Sequence, residues 1–173
     1  MRVVAIDPSL TGTGICAVDL DTRSIRAWEC IRTAPSKTAG RRTDDLARRL
    51  TEVAAGVSAF LARWPGVVVL EAQTPSSHGR ASMANAGLLM AAYGACIGAL
   101  GGRKPIILMP SEVRRRVTGR TGATKTEAWM AAKAHFSSYP DPLRSRAALE
   151  AVHDAVCVAL AARPELHRLK ELI

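Results

Sequence analysis

Negative charge is in short supply in this sequence. Its 173 residues carry 15 Asp and Glu against 24 Lys and Arg, a formal net charge of +9. Lysine is scarce as well, since 19 of the 24 basic residues are Arg. This imbalance points to a polyanionic partner, and the planar guanidinium fork fits phosphate oxygens better than an ammonium does. Paired cysteines are missing: Cys16, Cys30, Cys96 and Cys157 stand far apart with no C-x-x-C. That excludes a zinc ribbon and a disulfide framework, and predicts a reduced, cytoplasmic protein. Met1-Arg2 runs directly into Val3–Ile6 with no basic region before a long apolar segment, so no signal peptide is expected. The one stretch without charge, 83–102, is diluted by Gly87, Gly94, Gly98, Gly101 and Gly102. It reads as a buried packing helix and not as a membrane span. No repeat, linker or low-complexity stretch divides the chain, and 48% hydrophobic content is enough for one core. A single domain over 1–173 is the expectation.

The order of elements follows from the apolar pattern. Val3-Val4-Ala5-Ile6 is a short buried run ended by Asp7-Pro8, Gly14–Val18 is a second beyond a Thr/Gly turn, and Ile25–Arg32 makes a third strand. From Leu46, apolar residues recur at helical spacing (Leu50, Val53, Val57, Phe60, Leu61) until Pro65-Gly66 stops them. Val67-Val68-Val69-Leu70-Glu71 then reads as a strand buried on both faces. The small-residue helix, a fifth strand over Pro105–Met109, helices over 111–117 and 125–136, and a last helix over about 143–160 complete the chain. The class is α/β: a five-stranded mixed sheet, three strands meandering and two joined by crossovers, with helices on both faces.

Three acids occupy special places in that order. Asp7 closes the first strand, Glu71 closes the fourth, and Asp154 lies in the final helix. A carboxylate at the end of an otherwise apolar strand is costly unless a positive charge meets it. A divalent metal meets that need with hard oxygen ligands, suited to Mg²⁺ with Mn²⁺ as substitute. Two such ions about 4 Å apart can activate a water and steady the leaving oxygen of a phosphodiester.

Four blocks carry a family resemblance. Ala5-Ile6-Asp7-Pro8-Ser9-Leu10-Thr11-Gly12-Thr13-Gly14, Val69-Leu70-Glu71-Ala72-Gln73, the basic run from Val113 to Lys125, and Asp154-Ala155-Val156-Cys157-Val158-Ala159-Leu160 together resemble the RuvC family of Holliday junction resolvases. The resemblance covers nearly the whole chain. It implies a ribonuclease H-like fold, a homodimer, a Mg²⁺-dependent endonuclease, and branched DNA, the four-way junction, as substrate. Asp7, Glu71 and Asp154 match three of the family's four metal-binding acids. The fourth, three residues before the last Asp, is Ala151 here. On a helix, Glu150 lies about 40° from Asp154 and one turn away, whereas His153 lies about 100° off. Glu150 is therefore the expected fourth ligand and His153 the alternative.

The resemblance also places basic residues at Arg114 and Lys125, around a loop that touches DNA near the scissile phosphate. Arg115, Arg116 and Arg120 add charge there, and Gly119 and Gly122 let backbone approach a phosphate closely. Lys125 could in addition steady charge at the reacting phosphate. Arg80, just beyond Glu71, and the pair Arg41-Arg42 are further phosphate candidates on position. Two other readings stay open: a ribonuclease H-like nuclease of broader branched-DNA or RNA specificity, and an inactive junction-binding module, suggested by Ala151. The charge-free helix over 82–100 is expected to lie at or behind the dimer interface; Leu88, Leu89, Ala92, Cys96 and Ala99 form one apolar stripe, part of which must also cover the sheet.

Overall fold

A computed structural model describes residues 1–36, 38, 40–73, 80–139 and 145–171, without side-chain placement for 80–84 and 169–170. In chain order the elements are β1 (Arg2–Asp7), β2 (Gly12–Asp19), β3 (Ser24–Arg32), α1 (Arg42–Arg63), β4 (Val67–Glu71), α2 (Arg80–Gly98), β5 (Ile106–Leu108), α3 (Pro110–Thr118), α4 (Lys125–His135), α5 (Arg146–Ala161) and α6 (Arg163–Glu171). The five strands form one sheet in the order β3-β2-β1-β4-β5. β2 pairs antiparallel with β1 and β3, while β4 pairs parallel with β1 and β5. The mixed α/β sheet expected from the sequence is the sheet observed.

Alternation along the strands sends apolar side chains to both faces. On one face Val3, Ala5, Cys16, Val18, Val69 and Leu108 pack under Ala155, Val156 and Ala159 of α5. On the other, Val4, Ile6, Ile15, Val68 and Leu70 pack under Val53, Val57, Phe60 and Leu61 of α1, with Cys96 of α2 and Leu100 just past its end closing the layer. α5 lies unusually close to the sheet. A Cβ placed on Gly14 of β2 would stand 1.9 Å from the Ala151 carbonyl oxygen, so only a glycine fits beneath that turn of helix.

Arg49, 7% exposed, shares α1's inward stripe with Val53 and Val57; its Nε donates to Thr33 Oγ1 at 2.9 Å, and a second nitrogen reaches the Leu10 carbonyl. Thr33 Oγ1 donates to that same carbonyl, and Thr13 Oγ1 donates to Ser9 O at 2.6 Å. The turn following Asp7 is thus fastened to α1 and β2 by buried polar bonds.

Several boundaries shift from the sequence reading. α2 begins at Arg80 and ends at Gly98, with Gly101 and Gly102 at positive φ. α4 starts behind a complete capping box, Thr124 with Glu127. α6, unforeseen, follows α5 almost directly. Pro164 near its start and Glu165 in its first turn are the signals that mark it. Among the described residues no helix is long and apolar enough to cross a membrane.

Candidate active site

The parallel register of β1 and β4 brings two of the acids together. Ile6 pairs with Leu70, the last pair of that ladder, and Asp7 and Glu71 are the next residue on each strand. Both stand at the carboxyl end of the parallel strands, where open α/β sheets present their crevice. α5 crosses the same end, seated at Gly14, the residue paired with Asp7 on β2. Asp154, one turn beyond Ala151, completes the group. Gln73 Nε2 donates to the Pro8 carbonyl at 3.1 Å and ties the two strand ends together.

Electrostatics shows how tightly the three acids share the space. Burial and the charges of Glu71 and Asp154 push the Asp7 carboxyl well above the usual carboxylate range. Hydrogen bonding between the two carboxyls adds to the rise at Asp7 and holds Glu71 down. Burial likewise raises Glu71 and Asp154, against the opposing pull of Lys125. Lys125 Nζ lies 2.5 Å from Asp154 Oδ2. Burial works against the Lys125 ammonium, but the hydrogen bond to Asp154 and the charges of Asp154, Asp7 and Glu150 outweigh it and raise its pKa. The other Asp154 oxygen, Oδ1, accepts from Trp129 Nε1 at 2.8 Å. With both oxygens engaged, Asp154 is drawn toward α4. Among the described residues no three Asp, Glu, His or Cys side chains stand already arranged to hold a metal ion.

Two openings flank the Lys125–Asp154 pair. One, of about 230 Å³, is lined by Glu71, Val113, Arg114, Lys125 and Asp154; the other, of about 280 Å³, by Asp7, Ser9, Arg32, Lys125, Glu150 and Asp154. Glu150 thus faces the same opening as Asp7 and Asp154, from the rim, where Arg146 Nε pairs with it at 3.0 Å. His153 turns elsewhere, its ring packed between those of Trp129 and Tyr139. Helical phase separates the two neighbours as the sequence reading expects.

The basic residues divide. Arg114 is exposed, lines the first opening and lowers the Glu71 pKa by its charge. Arg115 is exposed on α3. Arg120, 70% exposed, pairs with Glu127 at 3.1 Å in the loop whose glycines, Gly119 and Gly122, take positive φ. Arg116 departs from the expected group. Its guanidinium is partly buried and committed to Glu112, Glu165 and the Ala161 carbonyl, where it fastens α3 to α6, so it is not free to meet a phosphate. The Arg80 side chain falls outside the described residues; Arg41 and Arg42 are exposed at the start of α1. Sequence reasoning missed Trp129, Gln73 and Arg32 as residues of this site. Arg32 ends the strand paired to Gly12, a placement that only the β2–β3 register reveals.

No protein-family model matches the chain, and no curated protein matches it. Solved structures do. A Thermus thermophilus RuvC in complex with a Holliday junction substrate superposes with a TM-score of 0.77 at 22% identity, covering 97% of this chain and 96% of that one. A second T. thermophilus RuvC structure gives a TM-score of 0.73 at 20% identity, with the same coverage. The fold is RuvC-like, of the ribonuclease H type.

Proposed function

We propose that this chain is a metal-dependent endonuclease that resolves four-way DNA junctions by paired nicks, acting as a homodimer. The observation that carries the reading is the convergence of Asp7, Glu71 and Asp154, from β1, β4 and α5, at one end of a RuvC-like sheet, with Lys125 and Arg114 beside them. Their donor set fits a hard divalent cation: three oxygen-bearing side chains share one buried space with a single lysine, and burial and mutual repulsion raise their pKa values as an unmet need for positive charge would. Asp7, Glu71 and Asp154, joined by Glu150 from the rim, would hold Mg²⁺, two ions with Mn²⁺ as substitute. Such ions supply a water of lowered pKa and charge neutralisation at a phosphodiester. The side chains have their own tasks. Lys125 presents a point charge to the phosphate being cut, while Arg114, Arg115 and Arg120 grip neighbouring phosphates and set the strand's register.

Resolution needs two symmetric cuts, hence two sites related by a dyad. The face of α2 open to a second copy differs from the stripe expected. Ala92 and Cys96 are fully buried, so that part of the expected stripe covers the sheet, while Leu88, Leu89 and Ala99 stay partly exposed. The outward face carries Gly87, Met90, Gly94, Ile97 and Gly98, with Met90 44% and Ile97 36% exposed and nothing within 4 Å of a Cβ built on any of the three glycines. Ile107, 49% exposed, lies on the same side of the sheet, since its partner Leu70 packs beneath α1 and α2. We assign the dimer contact to this face.

The test is a cleavage panel of four-way junction, flap, duplex DNA and RNA–DNA hybrid in Mg²⁺, with Asp7→Asn, Glu71→Gln and Asp154→Asn alongside and sedimentation of the wild type. Paired nicks in the junction, lost in all three variants while junction binding persists, is the expected result. Cutting of flap or hybrid in preference to the junction, or a monomer at micromolar concentration both free and on the junction, would replace resolution with a broader nuclease.

A further inference from the structure

Both carboxylate oxygens of Asp154 have protein partners among the described residues, and both partners come from α4. Lys125 and Trp129 are four residues apart on that helix and so lie on one face, opposite α5. Trp129 Nε1 donates to Asp154 Oδ1 at 2.8 Å, and the ring of the same tryptophan lies 5.2 Å from Lys125 Nζ, which holds Oδ2. The indole is itself wedged: its ring meets His153 edge-on at 5.3 Å and 72°, and His153 leans on Tyr139 at 4.9 Å. An indole N–H only donates, and a bond from it to a carboxylate is charge-assisted. A two-torsion aromatic braced on one side by the His153 ring delivers that bond along a fixed line, at little entropic cost.

Ala151 makes this hold consequential. One turn before Asp154, where a second carboxylate could brace a shared cation, there is only a methyl group, 8% exposed. The orientation of Asp154 must come from outside the acid cluster. We propose that Trp129 is the positioning residue of the site: its indole N–H fixes Oδ1 and leaves Oδ2 as the oxygen offered to a divalent cation, while its ring provides the seat from which Lys125 covers Oδ2 until such an ion takes its place. The inference rests on the reading of Asp154 as a metal ligand. It adds a residue that supplies no metal donor atom itself and that no acid motif would reveal.

Trp129→Phe tests it, because the phenyl ring retains most of the packing and the seat for Lys125 but has no N–H. Mn²⁺ binding to the DNA-free protein, followed by calorimetry, is expected to weaken about tenfold or more, as loss of a ligand-orienting partner does. Thermal unfolding of the metal-free variant should stay within a few degrees of wild type. In cleavage assays the half-saturating Mg²⁺ concentration should rise by a similar factor, with the rate largely recovered at saturating metal. Mn²⁺ binding within twofold of wild type would overturn the proposal and leave the nuclease reading standing. A wild type that binds no Mn²⁺ at all would overturn both. A second measurement needs no change at Trp129: Mg²⁺ added to the DNA-free wild type should alter indole emission with the same midpoint as binding, and the change should vanish in Asp154→Asn. Saturable Mg²⁺ binding with no change in emission counts against the proposal.

Discussion

Gly14→Ala adds a single methyl group at the point where the sheet and the acid-bearing helix touch. The new Cβ would lie 1.9 Å from Ala151 O, 2.4 Å from its carbonyl carbon and 3.1 Å from Val152 N, all backbone atoms of α5. Ordinary contact begins near 3.4 Å, so α5 must lift by about 1.5 Å or β2 must sink by as much. No side-chain rotation relieves the clash. Overpacking of this kind costs roughly 1–3 kcal/mol or more, which in a chain of this size lowers Tm by about 2–12 °C. The site suffers more than the fold, because the displaced turn leads to Asp154 while Gly14 pairs across the ladder with Asp7. A displacement near 1 Å between reacting groups costs on the order of 10²-fold in rate.

The assay is thermal unfolding beside junction cleavage, with Gly56→Ala as control. There the three atoms nearest the added Cβ all belong to the Ile31 side chain, at 2.9–3.0 Å, so the strain falls on one side chain and not on the backbone of α5, and the helix gains a better former. The control should stay within about 1 kcal/mol of wild type and cut normally. A Gly14→Ala protein that keeps both its Tm and its cleavage rate would refute the close seating of α5. One that loses stability but cuts at the wild-type rate would refute the link between that seating and the site.

The carboxyl cluster makes a signed prediction about pH. Folded-state pKa values of Asp7, Glu71 and Asp154 are raised, so their contribution to stability is complete below the unfolded carboxylate range and is lost as pH rises through the folded values. In chelator, Asp7→Asn should therefore unfold a few degrees above wild type at pH 7, and the gap should close as pH falls into the ordinary carboxylate range; a variant less stable than wild type at pH 7 contradicts the charge assignment. Arg114→Ala should weaken junction binding and reduce its salt dependence by about one unit of slope, as loss of one phosphate contact does, while Arg116→Ala should leave the slope unchanged and lower Tm through its lost ties to Glu112 and Glu165. Equal slopes for wild type and Arg114→Ala would return that arginine to the solvated surface.

How much of this was legible in the sequence depends on whether a residue's role is local. Asp7 and Glu71 could be read because each ends an apolar run, and a run ending in an acid marks a strand leaving the core at a polar edge. Glu150 and His153 could be sorted because helical phase depends on spacing alone, and the structure places Glu150 at the opening and His153 among the rings. Arg116 could not. It sits in a run of three arginines, and only the arrival of α6, with Glu165, decides which one is withdrawn from solvent. Burial of Ala92 and Cys96 was equally hidden: nearly every α2 residue is small or apolar, so the sequence has almost no moment with which to choose a face, and packing against α1 and the sheet chose it.

Trp129 shows the harder limit. In sequence it is an aromatic on a short helix, which packing alone would justify, and nothing near it announces a carboxylate 25 positions ahead. Its place follows from two separate seatings, α4 against α5 and α5 against Gly14 of β2, and neither is encoded near Trp129 itself. The same holds for Arg49, which shares the buried stripe of α1 with Val53 and Val57 but reaches the turn after Asp7 only because β3 ends at Thr33's doorstep. Acids that would bind a cation must lie at strand ends and on a helix facing them, so pattern finds them. Groups that orient those acids can come from any element that passes within one hydrogen bond, and for them the tertiary structure is the first place the relation exists.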